Sequence, residues 1–328
     1  MWLFRFTPSA MMHAATERMS GTEDISWQEL RRIVQEWKGS AAELDEVTPL
    51  PGGHINTTLC LKTRDGHKSV LKISPHRVDR SYEREAHQLK LLKSCGAPVP
   101  EVYLAKTGTL DHPFSYILIE HMAGVDLGEA KKTCSPDAFD RLQERLADIV
   151  AAMHDCTHAT YCKVTDGEQK EFANWPSFYR EVYDAIWHEA EKSPHISSKC
   201  RKQIGRVHER LERLIAHADC PRLVHWDMWA SNLLVKPDES GEWHVSALLD
   251  PNCKYAHAEA EIAYMELFHT VTPAFMKSYQ RRHKLDRDYY TFRRPVYQLY
   301  PMINHLRLFG PEYAKPLAAA VERTTAIV

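Results

Sequence analysis

Apolar positions recur at two different periods along the chain, and the changes of period mark out the elements. From Trp27 to Trp37 the stretch WQELRRIVQEW repeats its apolar residues at helical spacing, and Ser26 before it suits an N-cap, so an opening helix is expected. Strand-length segments follow. Residues 44–50 read as a first strand, broken by Gly52-Gly53. HINTTLCLKT alternates as a second, Asp65-Gly66 is a hairpin signal, and SVLKI is a third. Over 79–94 the helical period returns, with Tyr82, Glu85, Leu89 and Leu92 on one face. Val99-Pro100 leads to a fourth strand, and SYILIEHM is a fifth, apolar enough to be central to a sheet.

Gly124 and the polar residues after it read as a joint between two lobes. Ser135-Pro136 opens a helix with Pro at its first position, and Leu142, Leu146, Ile149, Val150 and Met153 form its apolar face. Residues 155–175 show no period and are expected to be irregular, with helices over 176–192 and 197–217. RLVHWDMWASNLLV reads as strand, loop, strand. A turn at Asp238–Gly241 then leads into WHVSALLD, a strand ending on Asp250. From Glu259 onward the pattern is helical. The expected class is α+β: a small β-rich lobe over 26–122, then a larger, mainly helical lobe over 123–328 that carries a β-hairpin. Residues 1–25 are expected to be a disordered or misannotated extension. Arg5 and Pro8 interrupt its short apolar start, which argues against a secretory signal, and Met11, Met12 and Met19 are alternative starts.

Composition narrows the functions more than the fold. With 328 residues, 44% hydrophobic and 26% charged, the chain is an ordinary soluble globular protein. A formal net charge of −2 provides no global field for nucleic acid or an acidic membrane surface, and no apolar run reaches membrane-spanning length. The eight cysteines include no Cys-x-x-Cys pair. Neither a zinc site nor a disulfide framework is indicated, and reduced thiols in a cytoplasm are expected.

Phosphoryl transfer needs a cradle for the phosphates, a cation on them, a base near the acceptor hydroxyl, and metal ligands. Each has a candidate here. His225, Asp227 and Asn232 form an H-x-D-x-x-x-x-N pattern between two apolar strands. The Asp can accept a hydroxyl proton, while the Asn carbonyl ligates Mg²⁺. Asp250 ends the next strand but one, and a hairpin between Asn232 and Asp250 brings both to one sheet edge, where two hard oxygens suit Mg²⁺. Lys72 in VLKI is flanked by core residues and expected to face a cleft. Glu85 on the following helix is its expected partner, which would hold the ammonium for nucleotide phosphates; Glu83 is the rival. Gly52 and Gly53 would let backbone N–H groups approach those phosphates. Ile119, Glu120, His121 and Met122 end the fifth strand, and their free backbone groups would bond adenine. His225 is expected to brace its loop. Glu259 and Glu261 are expected to order the loop after Asp250. The aromatics Trp175, Trp187, Tyr264, Phe268, Tyr297 and Tyr300 are read as core. A protein kinase's long activation segment has no room after Asp250, so a small acceptor is expected.

Four stretches resemble the fructosamine kinase (ketosamine-3-kinase) branch of the aminoglycoside-phosphotransferase-like superfamily. They are GGHIN, LVHWDMWASNLLV, DPNCKYAHAEAEIAYMELF and YQLYPMINHLRLFGPEY, within a wider likeness over 44–310. The resemblance implies a two-lobed protein-kinase-like fold with ATP as donor. It gives Asp227 the catalytic role, Asn232 and Asp250 the metal role, and Lys72 with Glu85 the ion-pair role. The implied partner is a small-molecule acceptor or glycated amine, phosphorylated on a sugar hydroxyl so that the adduct becomes labile. Kinases of an aminoglycoside, choline or another hydroxylated amine are the alternative, and a non-catalytic nucleotide-binding module is a further one. The chain departs from the pattern at Trp226, where Gly is usual, and at Ala230 and Ser231. His54 stands where many members have Cys, and 155–175 lacks the usual glycine-rich motif.

Overall fold

A computed structural model of the chain describes residues 25–50, 57–75, 80–109, 114–216 and 219–326. The expected N-terminal extension and the Gly52-Gly53 turn lie outside these residues. Contacts divide the described chain into two compact units. One is built from the residues up to Ala86 with Pro100–His121, the other from His87–Val99 and the residues from Met122 on.

The first unit opens with helix α1 (Trp27–Lys38). Ser26 and Glu29 form a reciprocal capping box: the Ser26 side chain accepts from the Glu29 N–H while the Glu29 carboxylate accepts from the Ser26 N–H. Strands β1 (Leu44–Pro49), β2 (Thr57–Thr63), β3 (Lys68–Pro75), β4 (Val102–Lys106) and β5 (Phe114–Glu120) form an antiparallel sheet in the order β1-β2-β3-β5-β4. Gly66 turns β2 into β3 with a φ of 86°, a left-handed conformation that glycine adopts without a Cβ penalty. Strand alternation decides the inside: Leu59, Leu61, Leu71, Ile73, Tyr116 and Leu118 join Leu30, Ile33 and Val34 of α1 in one core. Lys72, between Leu71 and Ile73, therefore emerges on the other face of β3.

Helix α2 (Ser81–Ser94) starts in the first unit and finishes in the second. The second unit continues with β6 (Val125–Asp126), α3 (Leu127–Thr133), α4 (Pro136–His154), β7 (Tyr161–Lys163), β8 (Glu171–Phe172), α5 (Trp175–Ala190), α6 (Ser198–Glu209) and α7 (Leu211–Leu214). After them come β9 (Arg222–Val224), β10 (Leu233–Pro237), β11 (Trp243–Leu248), β12 (Lys254–Ala256), α8 (Ala258–Leu267), α9 (Pro273–Tyr279), α10 (Arg294–Phe309) and α11 (Ala314–Thr325). Two small sheets lie among these helices, β11-β10-β6 and β8-β7-β12-β9. Gly124 is required by proximity: a Cβ there would lie 2.7 Å from the Val235 carbonyl oxygen. Ser135 caps α4 with Pro136 in its first turn, as the sequence predicts.

Three local expectations need correction. Residues 155–175 are not irregular throughout; they supply β7 and β8, too short to show a period, with β7 paired to β12 and β8 to β7. The helix expected over 197–217 breaks at Arg210, whose φ of −104° and ψ of 2° leave the helical region. Cys95 and Cys156, 61 positions apart, are joined as a disulfide, with Cα atoms 6.4 Å apart at the ends of α2 and α4. Spacing along the chain carries no trace of a pair made by tertiary packing.

Replacing Ser26 with Ala removes the acceptor for the Glu29 N–H and should cost about 1 kcal/mol of stability, read as a lower midpoint in urea unfolding.

Candidate active site

The first unit brings Lys72 and Glu85 together. The Lys72 ammonium lies 2.7 Å from Glu85 Oε1, and both side chains are largely buried, at 13% and 15% exposed. The rival Glu83 pairs instead with Arg80 at 2.6 Å. At the end of β5 the expectation narrows. The Glu120 N–H is already donated to the Glu101 carbonyl at 2.8 Å, and Ile119 sits in register between Val70 and Val102. Of the four residues expected to offer backbone groups, Ile119 and Glu120 end β5 and His121 and Met122 lie past it, and the Glu120 N–H is already engaged as a donor.

In the second unit the loop between β9 and β10 carries Asp227 and Asn232. Its backbone is tied to itself. The Asp227 carbonyl accepts from the Trp229 N–H at 3.2 Å and from Asn232 Nδ2 at 2.9 Å, and the Asn232 N–H is donated to the Trp229 carbonyl. Asn232 Nδ2 also reaches Asp227 Oδ2 at 3.1 Å, and the Tyr264 hydroxyl donates to Oδ1 at 2.6 Å. Each carboxylate oxygen thus accepts one bond, which fixes the rotamer. Each still has a second lone pair for an acceptor hydroxyl. Burial, and then the adjacent Asp227 charge, push the Tyr264 phenol far above its usual range, so it keeps its proton and stays a donor.

The β10–β11 hairpin returns the chain to the same place. Leu233 pairs with Leu248, and the Leu249 N–H is donated to the Asn232 carbonyl at 2.9 Å, so Asp250 begins one residue beyond Asn232's partner. Strand β11 ends at Leu248, and Asp250 stands outside it with a φ of 56°. Trp226, the residue before Asp227, also has a left-handed φ of 69°. Such conformations cost about 1–3 kcal/mol for a non-glycine residue and persist only where surrounding contacts impose them.

The contacts that impose the Trp226 conformation were not expected. Its N–H is donated to Glu261 Oε1 at 2.6 Å. Glu261 is 1% exposed, and its other oxygen meets His154 Nε2 at 2.9 Å; His154 Nδ1 in turn meets the Tyr279 hydroxyl at 2.7 Å. Glu261 therefore orders the loop before Asp227, not the loop after Asp250 as its place in the sequence suggests. Glu259 binds Arg293 through both oxygens, at 2.6 and 2.7 Å. His225 braces the loop as expected: it is fully buried, its Nδ1 lies 3.4 Å from the Asp227 N, and its carbonyl accepts from the Asn252 N–H at 3.0 Å. Burial lowers its pKa, which keeps the ring neutral and unsuited to a proton-accepting role in competition with Asp227.

Sequence reasoning missed Tyr264, treated there as core. The signal was present in the spacing: Glu261 and Tyr264 are three apart on α8 and so share a face, which here meets the Asp227 loop. Trp226, Glu261, Tyr264, Tyr297 and Tyr300 line a small cavity of about 20 Å³ against this loop. Trp229 is 40% exposed beside them in sequence. Lys254 is almost wholly buried and has no carboxylate partner among the described ion pairs. Burial, and then Lys163, lower its pKa well below the usual lysine value.

The donor chemistry fits a hard divalent cation. Asn232 commits its Nδ2 to Asp227, leaving its amide oxygen as the acceptor end, and the Leu249 N–H bond to the Asn232 carbonyl brings the Asp250 backbone close to it. Among the described residues no three His, Cys, Asp or Glu side chains form a metal cage. Magnesium needs none, because it binds through one or two protein oxygens together with phosphate oxygens.

Solved structures share this fold. Aminoglycoside phosphotransferase APH(4)-Ia, solved with AMP-PNP and hygromycin B, overlays with a TM-score of 0.66 at 17% identity, covering 90% of this chain and 97% of its own. A Thermobifida fusca protein solved as a candidate fructosamine-3-kinase overlays with a TM-score of 0.74 at 22% identity, over 92% and 100%. The family profile described as fructosamine kinase matches residues 26–326, and the chain belongs to that family. Among its curated relatives, a protein of Enterococcus faecium described as a probable ketoamine kinase is 26% identical over 84% of this chain and 94% of its own length. The chloroplastic protein-ribulosamine 3-kinase of Oryza sativa subsp. japonica is 26% identical over 96% and 88%.

Two outcomes test this geometry. Tyr264→Phe removes a hydrogen bond to a charged carboxylate, worth about 1.5–3 kcal/mol, and should lower kcat roughly 10- to 100-fold in steady-state assays. The second concerns Lys254. Between its lowered pKa and the unfolded value of 10.5 the unfolded chain binds the extra proton, so raising the pH across that window stabilises the fold. Lys254→Met should flatten that rise when unfolding free energy is measured by urea from neutral to alkaline pH.

Proposed function

We propose that the protein transfers the γ-phosphoryl group of ATP to a sugar hydroxyl of a ketosamine, a glycated amine. The observation that supports this best is the Asp227 carboxylate held between Tyr264 and Asn232, one turn of loop from Asp250 across the hairpin. Asp227 accepts the proton of the acceptor hydroxyl as the oxygen attacks, and the two bonds it already receives keep its free lone pairs in one direction. Asn232 and Asp250 would hold magnesium. When bound, nucleotide and magnesium supply the phosphoryl group and neutralise its charge. Lys72, held by Glu85, would take the nucleotide's phosphate oxygens, with Gly52 and Gly53 as their backbone cradle and His121 and Met122 as the adenine contacts. Trp229 offers an exposed apolar plate to a sugar ring.

The acceptor class rests on the family and on the names its relatives carry, and a small molecule or a small group on a larger one fits it equally. A cytoplasmic setting is part of the same proposal, and no described helix is long and apolar enough to cross a membrane.

The test is ADP formation with fructosamine, ribulosamine, aminoglycoside and choline acceptors in parallel. A ketosamine should be the preferred acceptor, chelation of magnesium should stop the reaction, and Asp227→Asn should lower kcat by about 10²–10⁴-fold or more. Wild-type kcat in that variant would remove Asp227 as the base. Turnover of only a non-ketosamine acceptor would replace the substrate class.

A further inference from the structure

Two loops have to be held in fixed relation if Asp227 and Asp250 are to act on one phosphoryl group, and a buried lysine spans them. Lys254 is 3% exposed, on β12, four residues after Asp250. Its Nζ donates to the Asn252 carbonyl at 2.9 Å, within the Asp250 loop. The same Nζ lies 4.5 Å from the centroid of the Trp226 ring, in the Asp227 loop. Another neighbour of that ring is Tyr300, whose ring meets it edge-on at 5.8 Å. The indole is thus held by two neighbours, and its backbone is clamped through the Glu261 bond to its N–H.

The rest of the loop contacts show what Lys254 adds. Asn252 donates its N–H to the His225 carbonyl at 3.0 Å, and the Cys253 N–H is donated to Gln88 Oε1 at 3.0 Å. Strand β12 pairs Lys254 with Val224 and Tyr255 with Leu223. The Asn252 bond and the β12 pairing fix backbone to backbone at the base of the two loops, and the Gln88 bond ties Cys253 to α2. None of them reaches the Trp226 side chain, and Trp226 is the left-handed residue that sets the direction of Asp227.

We propose that Lys254 and Trp226 form a latch between the two loops, in which Lys254 is a positioning residue that holds the Trp226 ring and through it the orientation of Asp227 relative to Asp250. The amine acts as a donor to a carbonyl on one side and to an indole face on the other. It touches no reacting atom. A buried polar group with no carboxylate partner is costly to keep in a fold. Its placement between the Asn252 carbonyl of one loop and the Trp226 ring of the other gives that cost a purpose. The proposal rests on the kinase reading above for what the latch serves, though not for its existence.

The test combines kinetics with amide hydrogen exchange on the ligand-free chain. Lys254→Met keeps the length and removes the donors. Its kcat should fall about tenfold while the KM for nucleotide and acceptor stays within about twofold, because positioning and not binding is lost. Trp226→Leu should do the same, and Trp226→Phe, which keeps a ring, should recover most of the rate. The double variant Lys254→Met/Trp226→Leu should be no slower than the slower single one, since both break one contact. In Lys254→Met the amides of 225–232 and 250–256 should exchange faster and those elsewhere should not. If Lys254→Met does not fold, Trp226→Leu decides by the same two readouts. Unchanged kcat with unchanged exchange, or losses that simply multiply in the double variant, would overturn the latch. If the wild-type chain phosphorylates no acceptor, the kinase reading fails, and hydrogen exchange alone still decides whether the loops are coupled through Lys254.

Discussion

A single buried carboxylate, that of Glu261, underlies the geometry of the loop that carries Asp227. Removing a carboxylate from water costs several kcal/mol unless every lone pair finds a donor. Here one oxygen takes the N–H of Trp226 and the other faces His154, which is itself tied to Tyr279. Because the charge can be buried only if all these partners are in place, α4, α8, α9 and the Asp227 loop hold one another. The Trp226 N–H is the loop's share in that arrangement. Its fixed direction, at a φ that an indole-bearing residue would otherwise avoid, turns Asp227 toward Tyr264 and Asn232.

Strand pairing provides the second constraint. The β10–β11 hairpin is an ordinary antiparallel pair, and its function follows from where it ends. Antiparallel geometry places the residue before one strand opposite the residue after the other, so Asn232 and Leu249 exchange a backbone bond and Asp250 follows immediately. Both acidic residues of the site directly follow or occupy a left-handed position, Trp226 before Asp227 and Asp250 itself. Strain of this kind is concentrated where function needs an unusual side-chain direction and is offset by the packing of Val235, Ala247 and Leu248 behind the hairpin.

The first unit shows how little of such a site needs strain. Lys72 is presented by strand alternation alone, and Glu85 by the second turn of α2. Their ion pair is read directly from periodicity because each residue's face is set within its own element. Sequence patterns likewise identified the N-cap at Ser26, the Asp65-Gly66 hairpin and the proline start of α4, all of which are interactions among residues a few positions apart. Motif spacing pointed to Asn232 and Asp250 at one end of a hairpin, and the β10–β11 pairing does bring their backbones together there. The family also follows from residue identities, and the match over 26–326 agrees with the motifs that suggested it.

What pattern could not supply was the identity of partners brought in from distant elements. Tyr264 passed for core because burial of an aromatic ring looks the same whether or not its hydroxyl meets a carboxylate. Glu261 was assigned to the nearer loop because sequence distance stood in for spatial distance, and the Cys95–Cys156 pair, the short strands β7 and β8 and the buried Lys254 had no local signal at all. The amino-acid sequence by itself determined the class of fold, the order of elements and the residues that carry charge to the site, because these depend on local propensity and on hydrophobic period. The tertiary structure alone decided which way Asp227 faces and what holds it there, because a left-handed backbone and a buried carboxylate are stable only when many remote groups are satisfied together.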